Sequence, residues 1–380
     1  DVMIGPLVIK TQNGTQVDPS SIYPAPLIPP HDQFSGPQML TRMFDLPSDT
    51  VVWGRATDIH ATNPVTKQDQ SSTLSIYNTK FAGSTLAAGD FNGDGFSEVV
   101  LASVDTLQVI SAVDPEDFSK GLQTGGAYNY PLAQFIPVSV AVGDFNGDGK
   151  PEVAIAYQAT ATDNSMHVQI FTVDPATLNL TLQGDIGLGP NASPAGPGSG
   201  ALVAGRFSNT AYEQLAIVYA SNNQVQVQSL DFKIPSLTPI LVGTQLSNVS
   251  PGPDLWAVKG HFDPNSPYDQ MAMKYGNWLG IVSFDSQLHI QYPSFLAAPG
   301  ISCSTGLAAG NFARTDPDSS NSSATQPSLK QQIAISTSDC HGDNLAISIF
   351  NVEPPAVNSV YFTITQTSVL GMDLAASFVQ

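Results

Sequence analysis

Short apolar runs and acidic, glycine-rich turns alternate along most of this chain. Residues 86–103 read LAAGDFNGDGFSEVVLAS and residues 140–157 read VAVGDFNGDGKPEVAIAY, so an apolar run, a polar turn and a second apolar run recur. Weaker copies follow at 202–219, 257–275 and 307–318. Apolar runs of this length bounded by turn residues are typical of β-strands. Each copy therefore predicts two strands joined by a loop.

A third, alternating strand follows each pair, as in SMHVQIFTVD at 165–174 and NQVQVQSLDF at 223–232, and a more polar fourth strand follows in places, as at 359–368. The glycines that open the copies are 54, 62, 55 and 50 residues apart: Gly89, Gly143, Gly205, Gly260 and Gly310. A small sheet repeated at this period buries its faces against its neighbours. We therefore predict an all-β fold, a β-propeller of four-stranded antiparallel blades.

The repeats in the sequence define the number of blades less clearly. Residues 50–61, with Gly54 and Arg55 at the turn, resemble a degenerate earlier unit together with residues 71–78, which gives six recognisable units. Residues 373–380 resemble the start of another. We therefore predict seven blades in a propeller domain at 50–380 with an incomplete last blade. Either the native chain continues beyond Gln380 or residues 1–49 supply the missing strands, since a ring must close to hide its edges.

Residues 1–49 are predicted to form an irregular N-terminal arm. The stretch 19–37 is rich in proline, which removes backbone donors and disfavours the centre of a sheet. An extended segment along the surface fits this composition, with a contribution to ring closure as the further expectation.

The two acidic loops have the side chains that a calcium site needs. Carboxylate and amide oxygens recur at every second residue, glycines allow tight bends, and Ca²⁺ prefers six to eight oxygen ligands. We expect two sites with the same ligand order. In each site the fourth ligand is a backbone carbonyl. The ligands of the first site are Asp90, Asn92, Asp94, Phe96 (carbonyl) and Glu98. Those of the second are Asp144, Asn146, Asp148, Lys150 (carbonyl) and Glu152.

Two other interpretations of these loops were weighed. An EF-hand is excluded, because its twelfth position requires Glu and here holds Leu101 or Ile155 within an apolar strand. A metal-free hairpin stays open, since Asn and Gly favour tight turns by themselves. In the later copies Arg206 replaces the first ligand, which predicts no ion there. A weak site at His261, Asp263, Asn265 and Asp269 stays open.

Composition and charge narrow the classes of partner. With 42% hydrophobic and 12% charged residues the chain should fold, and 13 Lys and Arg against 32 Asp and Glu give a formal charge of −19. This charge opposes binding to phosphate backbones and to anionic lipid. No apolar stretch reaches about 20 residues, the length that spans a bilayer. We expect neither a nucleic-acid partner nor membrane insertion.

Several weak signals together favour a secreted protein. The chain begins at Asp1 without a basic and apolar leader, which fits a processed chain. Two cysteines, Cys303 and Cys340, predict one disulfide in an oxidising compartment, with two buried thiols as the alternative. Five Asn-x-Ser/Thr sequences are candidates for glycosylation. They are Asn13, Asn179, Asn191, Asn248 and Asn321.

The repeated Gly-x-Phe turn, the Asp-x-Asn-x-Asp-Gly-x-x-Glu loop and the apolar strand after it resemble FG-GAP/VCBS repeats. These repeats occur in integrin α-chain propellers, in fungal and bacterial secreted proteins and in fungal propeller lectins. The resemblance covers about 50–380 and is strong in two units. It implies a calcium-stiffened propeller that presents loops to a ligand, although a shared fold does not fix the ligand. The family usually ends its loop with Asp, where this chain has Glu98 and Glu152.

Local sequence offers little support for catalysis. The six histidines are far apart and in no metal-ligand spacing, and there is no Gly-x-Ser-x-Gly elbow, phosphate loop or supported Cys-His pair. The six histidines are His31, His60, His167, His261, His289 and His341. We therefore expect a secreted, calcium-stabilised, non-catalytic recognition module that binds carbohydrate or glycoprotein, as a lectin does.

Aromatic side chains such as Trp53, Trp256 and Trp278 are candidates for contacts with a sugar, although strand aromatics also form blade cores. Two alternatives stay open. One is a scaffold propeller within a larger secreted protein or toxin, and the other is a polysaccharide-degrading enzyme with a site built from distant residues.

Overall fold

The computed structural model describes strands and their connecting turns over most of the chain. The described residues are 2–4, 7–9, 38–46, 50–55, 58–63, 66, 68–73, 85–103, 106–129, 135–159, 165–190, 200–221, 224–247, 255–291, 294–297, 304–310, 332–338, 344–353 and 363–373. Within these ranges the fold is all-β, with a single-turn 3₁₀ helix at Phe118–Lys120. Among the same residues, no helix has the length and apolar character needed to cross a bilayer.

The strands are numbered β1 to β27 in chain order, and most belong to six sheets that we call blades 1 to 6. Blade 1 contains β3 (Gln38–Thr41), β4 (Thr50–Arg55), β5 (Asp58–Thr62) and β6 (Asp69–Thr73). Blade 2 contains β7 (Thr85–Gly89), β8 (Glu98–Ala102), β9 (Thr106–Ala112) and β10 (Leu122–Thr124), and β11 (Tyr128–Asn129) also pairs with β9. Blade 3 contains β12 (Phe135–Gly143), β13 (Glu152–Ala159), β14 (Ser165–Val173) and β15 (Leu180–Pro190).

The remaining three blades also contain four strands each. Blade 4 contains β16 (Gly200–Gly205), β17 (Gln214–Ser221), β18 (Gln224–Lys233) and β19 (Thr238–Ser247). Blade 5 contains β20 (Trp256–Gly260), β21 (Gln270–Tyr275), β22 (Trp278–Val282) and β23 (Ser294–Ala297). Blade 6 contains β24 (Ser304–Gly310), β25 (Gln332–Ser338), β26 (Asn344–Glu353) and β27 (Thr363–Asp373). A separate hairpin is formed by β1 (Val2–Ile4) and β2 (Leu7–Ile9).

Each blade is an antiparallel meander in which consecutive strands pair. Its register starts from the repeated loop, since the residue before the loop faces the first residue of the second strand, as Gly89 faces Glu98 and Gly143 faces Glu152. The second strands are the most apolar and are buried along nearly their whole length, as in β8 and β13. The predicted fold class, with four strands to each repeated unit, is therefore confirmed.

The first strands of successive blades contact one another in chain order. Contacts run from β3 to β7, β12, β16, β20 and β24. The N-terminal hairpin completes this series, because β1 lies against β24 and β2 lies against β3. Contacts therefore form a closed ring of six blades and one hairpin. The prediction of seven blades is not confirmed, since the described residues form six four-stranded sheets and the hairpin has two strands.

The hydrophobic core lies between blades, as expected for a repeat fold in which a single sheet cannot bury its own faces. One cluster joins blades 3 and 4 through residues that include Phe145, Ile170 and Leu215. Further clusters lie between blades 1 and 2, 2 and 3, 4 and 5, and 5 and 6. Every described junction between consecutive blades thus has its own apolar core.

The first unit differs from the sequence prediction. The turn predicted at Gly54 and Arg55 is not the equivalent of the acidic loops, because those two residues lie inside β4. The equivalent loop follows Thr41, which faces Thr50 in the register that Gly89 and Glu98 have in blade 2. Residues 38–41, assigned from the sequence to the arm, are the first strand of blade 1. The sequence concealed this because the loop there lacks the opening glycine and the Asp-x-Asn-x-Asp spacing, although it contains Asp45 and Asp49.

The end of the chain also differs from the sequence prediction. Asp373, predicted to begin a further unit, is the last residue of β27, which is the fourth strand of blade 6. Residues 374–380 and the proline-rich stretch 19–37 lie outside the described residues.

Candidate functional site

The opening glycine of each copy lets the next blade approach closely. A Cβ on Gly89 would lie 2.5 Å from Val142 Cγ1 of blade 3, and one on Gly143 would lie 3.0 Å from the Ala204 Cβ of blade 4. Real Cβ atoms do not tolerate the shorter of these separations, so the glycine is required by packing and not only by the turn. The motif therefore belongs to the blade junction as well as to its own loop.

The phenylalanine two residues later anchors the loop. Phe91 and Phe145 are buried in inter-blade cores, and so are Phe207 and Phe262 in the later copies. The backbone N–H of each donates to the residue that begins the second strand. The acceptors are Glu98 (2.7 Å), Glu152 (2.8 Å), Gln214 (3.0 Å) and Gln270 (2.7 Å), in the order of the blades. A side-chain oxygen at this position closes the loop in all four copies.

The first acidic loop folds around the carboxylate of Asp90. Its Oδ1 accepts from Gly93 N at 2.7 Å and from Asp94 N at 3.1 Å, and its Oδ2 accepts from Gly95 N at 2.9 Å. Both glycines have positive φ, of 79° and 87°, a region that glycine adopts without steric cost. The carboxylate thus gathers three consecutive N–H groups, and the glycines make that turn possible.

The other polar side chains of this loop interlock with one another. Asn92 Oδ1 accepts from Asp94 N at 2.8 Å, and Asp94 Oδ1 accepts from Phe96 N at 2.8 Å. Asn92 Nδ2 donates to Asp94 Oδ2 at 3.1 Å and to Glu98 Oε1 at 2.8 Å. One amide group therefore bridges the carboxylates of Asp94 and Glu98. The ring of Phe96 lies under the Arg42 guanidinium of blade 1, 5.0 Å from its centroid.

The second acidic loop repeats this arrangement in blade 3. Asp144 accepts from Gly147 N at 2.6 Å and Gly149 N at 2.9 Å. Asp148 N donates to Asn146 Oδ1 at 2.7 Å, and Lys150 N donates to Asp148 Oδ1 at 2.8 Å. Asn146 Nδ2 donates to Glu152 Oε1 at 2.7 Å. Two loops of the same sequence thus adopt the same hydrogen-bond pattern in adjacent blades.

The glutamates that close these loops are buried carboxylates. Burial raises the pKa of Glu98 to about 7 from a usual value of 4.5, and the charges of Asp94 and Asp90 raise the pKa further against the opposing hydrogen bond from Phe91 N. Burial likewise raises the pKa of Glu152 to about 7, with contributions from the nearby aspartates. An ionised carboxylate in such a place favours a cation nearby.

The chemistry of the donor set fits Ca²⁺, since every predicted ligand is an oxygen atom and each loop carries three carboxylates. The oxygens that accept N–H groups keep further lone pairs. Among the described residues, no three His, Cys, Asp or Glu side chains converge as a metal centre. An ion would therefore need the amide and carbonyl oxygens of Asn92 and Phe96, or of Asn146 and Lys150, in addition to carboxylates.

The later copies have replaced the acidic loop. In blade 4, Arg206 stands in the position of Asp90, and its Nη2 donates to Thr210 O at 3.3 Å. In blade 5, Asn265 N donates to Asp263 Oδ1 at 2.9 Å, so part of the turn is kept. His261 Nδ1 lies 3.9 Å from Asp269 Oδ1, and Asp269 also accepts from Arg206 N of blade 4. Within the part of the chain that the structure describes, His261, Asp263 and Asp269 do not converge as a metal centre.

At three of the described junctions, backbone hydrogen bonds between these loops form a clasp that joins neighbouring blades. Glu213 N donates to Asp144 O at 2.8 Å, and Asp144 N donates to Glu213 Oε2 at 3.1 Å. Asp269 and Arg206 form the same reciprocal pair at the next junction, with both distances 2.9 Å. In each case the clasp residue stands immediately before the second strand. Ser97 donates from that position to Arg42 O at 2.8 Å between blades 1 and 2.

The clasp is missing between blades 2 and 3. The clasp position there is Pro151, which has no N–H to donate and no carboxylate to accept. A cleft of about 410 Å³ opens at this junction. It is lined by residues of both acidic loops together with neighbouring residues, among them Asp90, Asn92, Asp144, Lys150, Pro175 and Glu213. The sequence analysis missed Pro151 and Glu213, although their shared place one residue before the loop-closing Glu or Gln would have related them.

Of the remaining predicted residues, few are among those described. Asn179 is exposed, and its Oδ1 accepts from Gly126 N at 2.8 Å. Trp256 and Trp278 are half-buried and pack against the inter-blade cores, so they are not exposed platforms for a sugar. Cys303, Cys340, Asn13, Asn191, Asn248, Asn321 and the side chain of Trp53 lie outside the described residues.

The comparison with protein families agrees with the repeat geometry. Residues 82–103 and 137–165 match the FG-GAP repeat, which covers the first strand, the acidic loop and the second strand of blades 2 and 3. No curated protein matches the chain in sequence. The resemblance to FG-GAP propellers stated from the sequence is therefore confirmed, with the two acidic units as its basis.

Solved structures with similar folds are distant in sequence. The Dos1 propeller is 12% identical at a TM-score of 0.47, with coverage of 84% of this chain and 67% of that chain. A protein from Lactobacillus plantarum is 12% identical at 0.45, with coverage of 88% and 82%. The exotype rhamnogalacturonan lyase YesX is 11% identical at 0.44, and 84% of this chain spans 63% of that enzyme.

Proposed function

We propose, from the premise that this chain is a β-propeller built on FG-GAP repeats, that it is a secreted recognition module. Its two acidic loops bind calcium, and the cleft between them binds carbohydrate or the glycan of a glycoprotein. The observation that carries the proposal is the cleft at the blade 2/3 junction, where both acidic loops meet and the clasp is absent.

The calcium part of the proposal is supported by charge. Each loop places two aspartates and a buried glutamate within one short turn, and like charges at this separation destabilise one another. In water-exposed turns a cation offsets that repulsion. Asp90, Asn92, Asp94, the Phe96 carbonyl and Glu98 would hold one ion, and their counterparts in blade 3 would hold the other. The bound ion would supply positive charge and stiffen the loop.

The ligand part is supported by the shape and lining of the cleft. A volume of about 410 Å³ is in the range of small-molecule sites. Carboxylate, amide and ammonium groups at its wall can exchange hydrogen bonds with hydroxyl groups, and the prolines offer apolar contact. A neutral sugar fits this combination better than an anion, because the net charge of the lining, with Asp90, Asp144 and Glu213 against Lys150, is negative.

The clasp offers a sharp test of the ligand site. Pro151→Asp gives blade 3 the residue that blade 5 uses in its clasp, so the cleft should close while the fold is retained. Lys150→Ala removes the ammonium group of the wall. The matched control is Lys233→Ala, which removes an exposed lysine that does not line the cleft.

Binding to a glycan array, followed by calorimetry with the best sugar, is measured with calcium and with chelator. We expect wild type and Lys233→Ala to bind in calcium, Lys150→Ala to bind at least about tenfold more weakly, and Pro151→Asp not to bind although its melting temperature is unchanged or higher. Absence of glycan binding by wild type, or full binding by Pro151→Asp, would refute the proposed ligand site.

A further inference from the structure

Three polar side chains on the outer strands of blade 3 form a hydrogen-bonded chain. Ser165 Oγ lies 2.8 Å from His167 Nε2, and His167 Nδ1 lies 2.9 Å from Asp185 Oδ1. Serine, imidazole and carboxylate in this order and at these distances are the arrangement by which proteins activate a serine hydroxyl. We infer that Ser165 is a nucleophile activated by His167, which gives this chain an esterase activity toward small acyl esters.

The carboxylate of Asp185 determines which atom donates and which accepts in these hydrogen bonds. Burial by itself would raise the pKa of Asp185, but hydrogen bonds from His167, Tyr157 and Gln169 outweigh it and lower the pKa below its usual value. An ionised Asp185 accepts the proton on His167 Nδ1. The Nε2 atom of the neutral imidazole is then the acceptor, and the Ser165 hydroxyl must donate to it.

Two further side chains hold Asp185 in place. Tyr157 Oη donates to Asp185 Oδ2 at 2.7 Å, and Gln169 Nε2 donates to the same oxygen at 2.8 Å. The ring of Tyr157 also stacks on the imidazole of His167, with centroids 5.1 Å apart. Asp185 and His167 are therefore both positioned by side chains outside the Ser165, His167 and Asp185 group, as a general base requires.

The neighbouring blade shows which part of this network is needed for folding. Register places Tyr219 and Gln228 of blade 4 where blade 3 has Tyr157 and Gln169. In blade 4, Tyr219 Oη donates to Gln228 Oε1 at 3.2 Å, whereas in blade 3 Tyr157 and Gln169 both donate to Asp185 Oδ2. The positions of Ser165, His167 and Asp185 hold Gln224, Gln226 and Thr244 in blade 4. Of these two blades, only blade 3 has the serine, the histidine and the aspartate together.

Blade 1 also contains a histidine paired with a carboxylate. His60 Nδ1 lies 2.6 Å from Asp69 Oδ2, also between the third and fourth strands. The hydroxyl of Thr62 donates to Asp69 Oδ1 at 2.7 Å, so it approaches the carboxylate. This pair is a natural comparison for a histidine whose role is only structural.

The site is accessible from the imidazole side. The side chain of His167 is 25% exposed and that of Asp185 is 36% exposed, whereas Ser165 as a residue is 7% exposed. The strand β15 bulges at this point, since Met166 faces Gly189 and His167 faces Gly187. Neither glycine carries a side chain that could cover the imidazole. A narrow approach to a largely buried hydroxyl favours small acyl groups such as acetyl.

The reaction consists of two transfers. Ser165 Oγ attacks the ester carbonyl carbon while its proton passes to His167 Nε2, and the C–O bond to the alcohol breaks as that proton is returned to the leaving oxygen. Water then attacks the acyl-serine ester with His167 as base, which releases the carboxylic acid and restores the Ser165 hydroxyl. Asp185 is a positioning residue, because it touches His167 and not the ester.

The probes are p-nitrophenyl acetate, to measure turnover, and a biotin-tagged fluorophosphonate, which labels activated serines covalently. Full-length wild type is compared with Ser165→Ala, His167→Ala, Asp185→Asn and the matched control His60→Ala. Melting temperatures establish that each variant is folded. Peptide mass mapping locates the phosphonyl group.

We expect labelling at Ser165 and turnover of p-nitrophenyl acetate by wild type. Ser165→Ala and His167→Ala should lose labelling, and Asp185→Asn should slow it by about 10²-fold or more. His60→Ala should match wild type. No label on Ser165 in folded wild type, or equal labelling in folded His167→Ala, would overturn the inference.

Discussion

The glutamates that close the acidic loops can be replaced by a residue the chain already uses at the same place. Gln214 and Gln270 accept the Phe N–H in blades 4 and 5, as Glu98 and Glu152 do in blades 2 and 3. The perturbation is the double variant Glu98→Gln and Glu152→Gln. It should keep the hydrogen bond that closes each loop and remove only the charge.

The effect without calcium follows from the pKa values. Each carboxyl titrates at about 7 in the folded protein and near 4.5 otherwise. A raised pKa means that the folded state binds more protons between these values, so stability is highest below pH 4.5 and falls as pH rises toward 7. At about 1.4 kcal/mol per pH unit, the full cost is about 3.5 kcal/mol per glutamate. Because the surrounding loop is exposed, we expect about 1–2 kcal/mol.

The double variant should therefore be more stable than wild type above pH 7 when calcium is absent. With an unfolding entropy of about 2.1 cal/mol/K per residue, 2–4 kcal/mol in total over 380 residues raises the melting temperature by about 3–5 °C. The gain should vanish at pH 4.5, where the wild-type glutamates are protonated.

Calcium should reverse this order. A bound ion favours the ionised glutamates, and a chain that binds the ion only when folded is stabilised by mass action. Wild type should then melt above the variant at pH 7.5. Melting curves are recorded at pH 4.5 and 7.5, each with calcium and with chelator, which gives four conditions. Glu116→Gln, at an exposed position, is the matched control and should change none of them.

The outcome that would refute this reasoning is specific. If the double variant is less stable than wild type at pH 7.5 in chelator, the buried charge is not the dominant cost in these loops. If calcium raises both melting temperatures equally, the glutamates are not part of an ion site.

Substitutions at three further positions test the junctions between blades, each by denaturant unfolding. Phe145→Ala should cost about 3–5 kcal/mol, because Phe145 is fully buried between blades 3 and 4, while Phe145→Leu should cost about 1.5 kcal/mol or less. Glu213→Ala should cost about 1–2 kcal/mol, since it leaves Asp144 N and Lys259 Nζ without their acceptor; a neutral result would remove the clasp as a stabilising feature. Gly89→Ala should cost about 1–3 kcal/mol from overpacking against blade 3, and no loss would contradict the close approach of the blades.

The repeat pattern predicted the strands because their apolar runs and turn residues are local features. It also placed the acidic loops, since Asp90 and Asp144 organise the residues that directly follow them. It misplaced the first unit, because the loop after Thr41 has no glycine and lacks the Asp-x-Asn-x-Asp spacing, so the alignment shifted to Gly54. Local sequence gave no reason to expect a proline to remove an inter-blade hydrogen bond, because that bond joins residues one blade apart.

The Ser165, His167 and Asp185 chain shows a second limit of local patterns. Ser165 and His167 lie two residues apart and therefore share a face of β14, which the sequence makes visible. Asp185 joins them only through the pairing of β14 with β15, where a bulge shifts the register. A search for histidines in metal or elbow spacing does not detect such a cross-strand arrangement.

The loop-closing position separates what the fold requires from what the acidic loops add. Four copies place an oxygen from Glu or Gln against the buried Phe N–H, so closure is common to acidic and neutral loops. Blade 4 closes its loop with Arg206 in the place of the first aspartate, so closure by Glu or Gln does not require the aspartates. Their presence in blades 2 and 3 coincides with the junction where Pro151 removes the clasp. The proposed calcium ions and cleft ligand would therefore account for the charge of these loops.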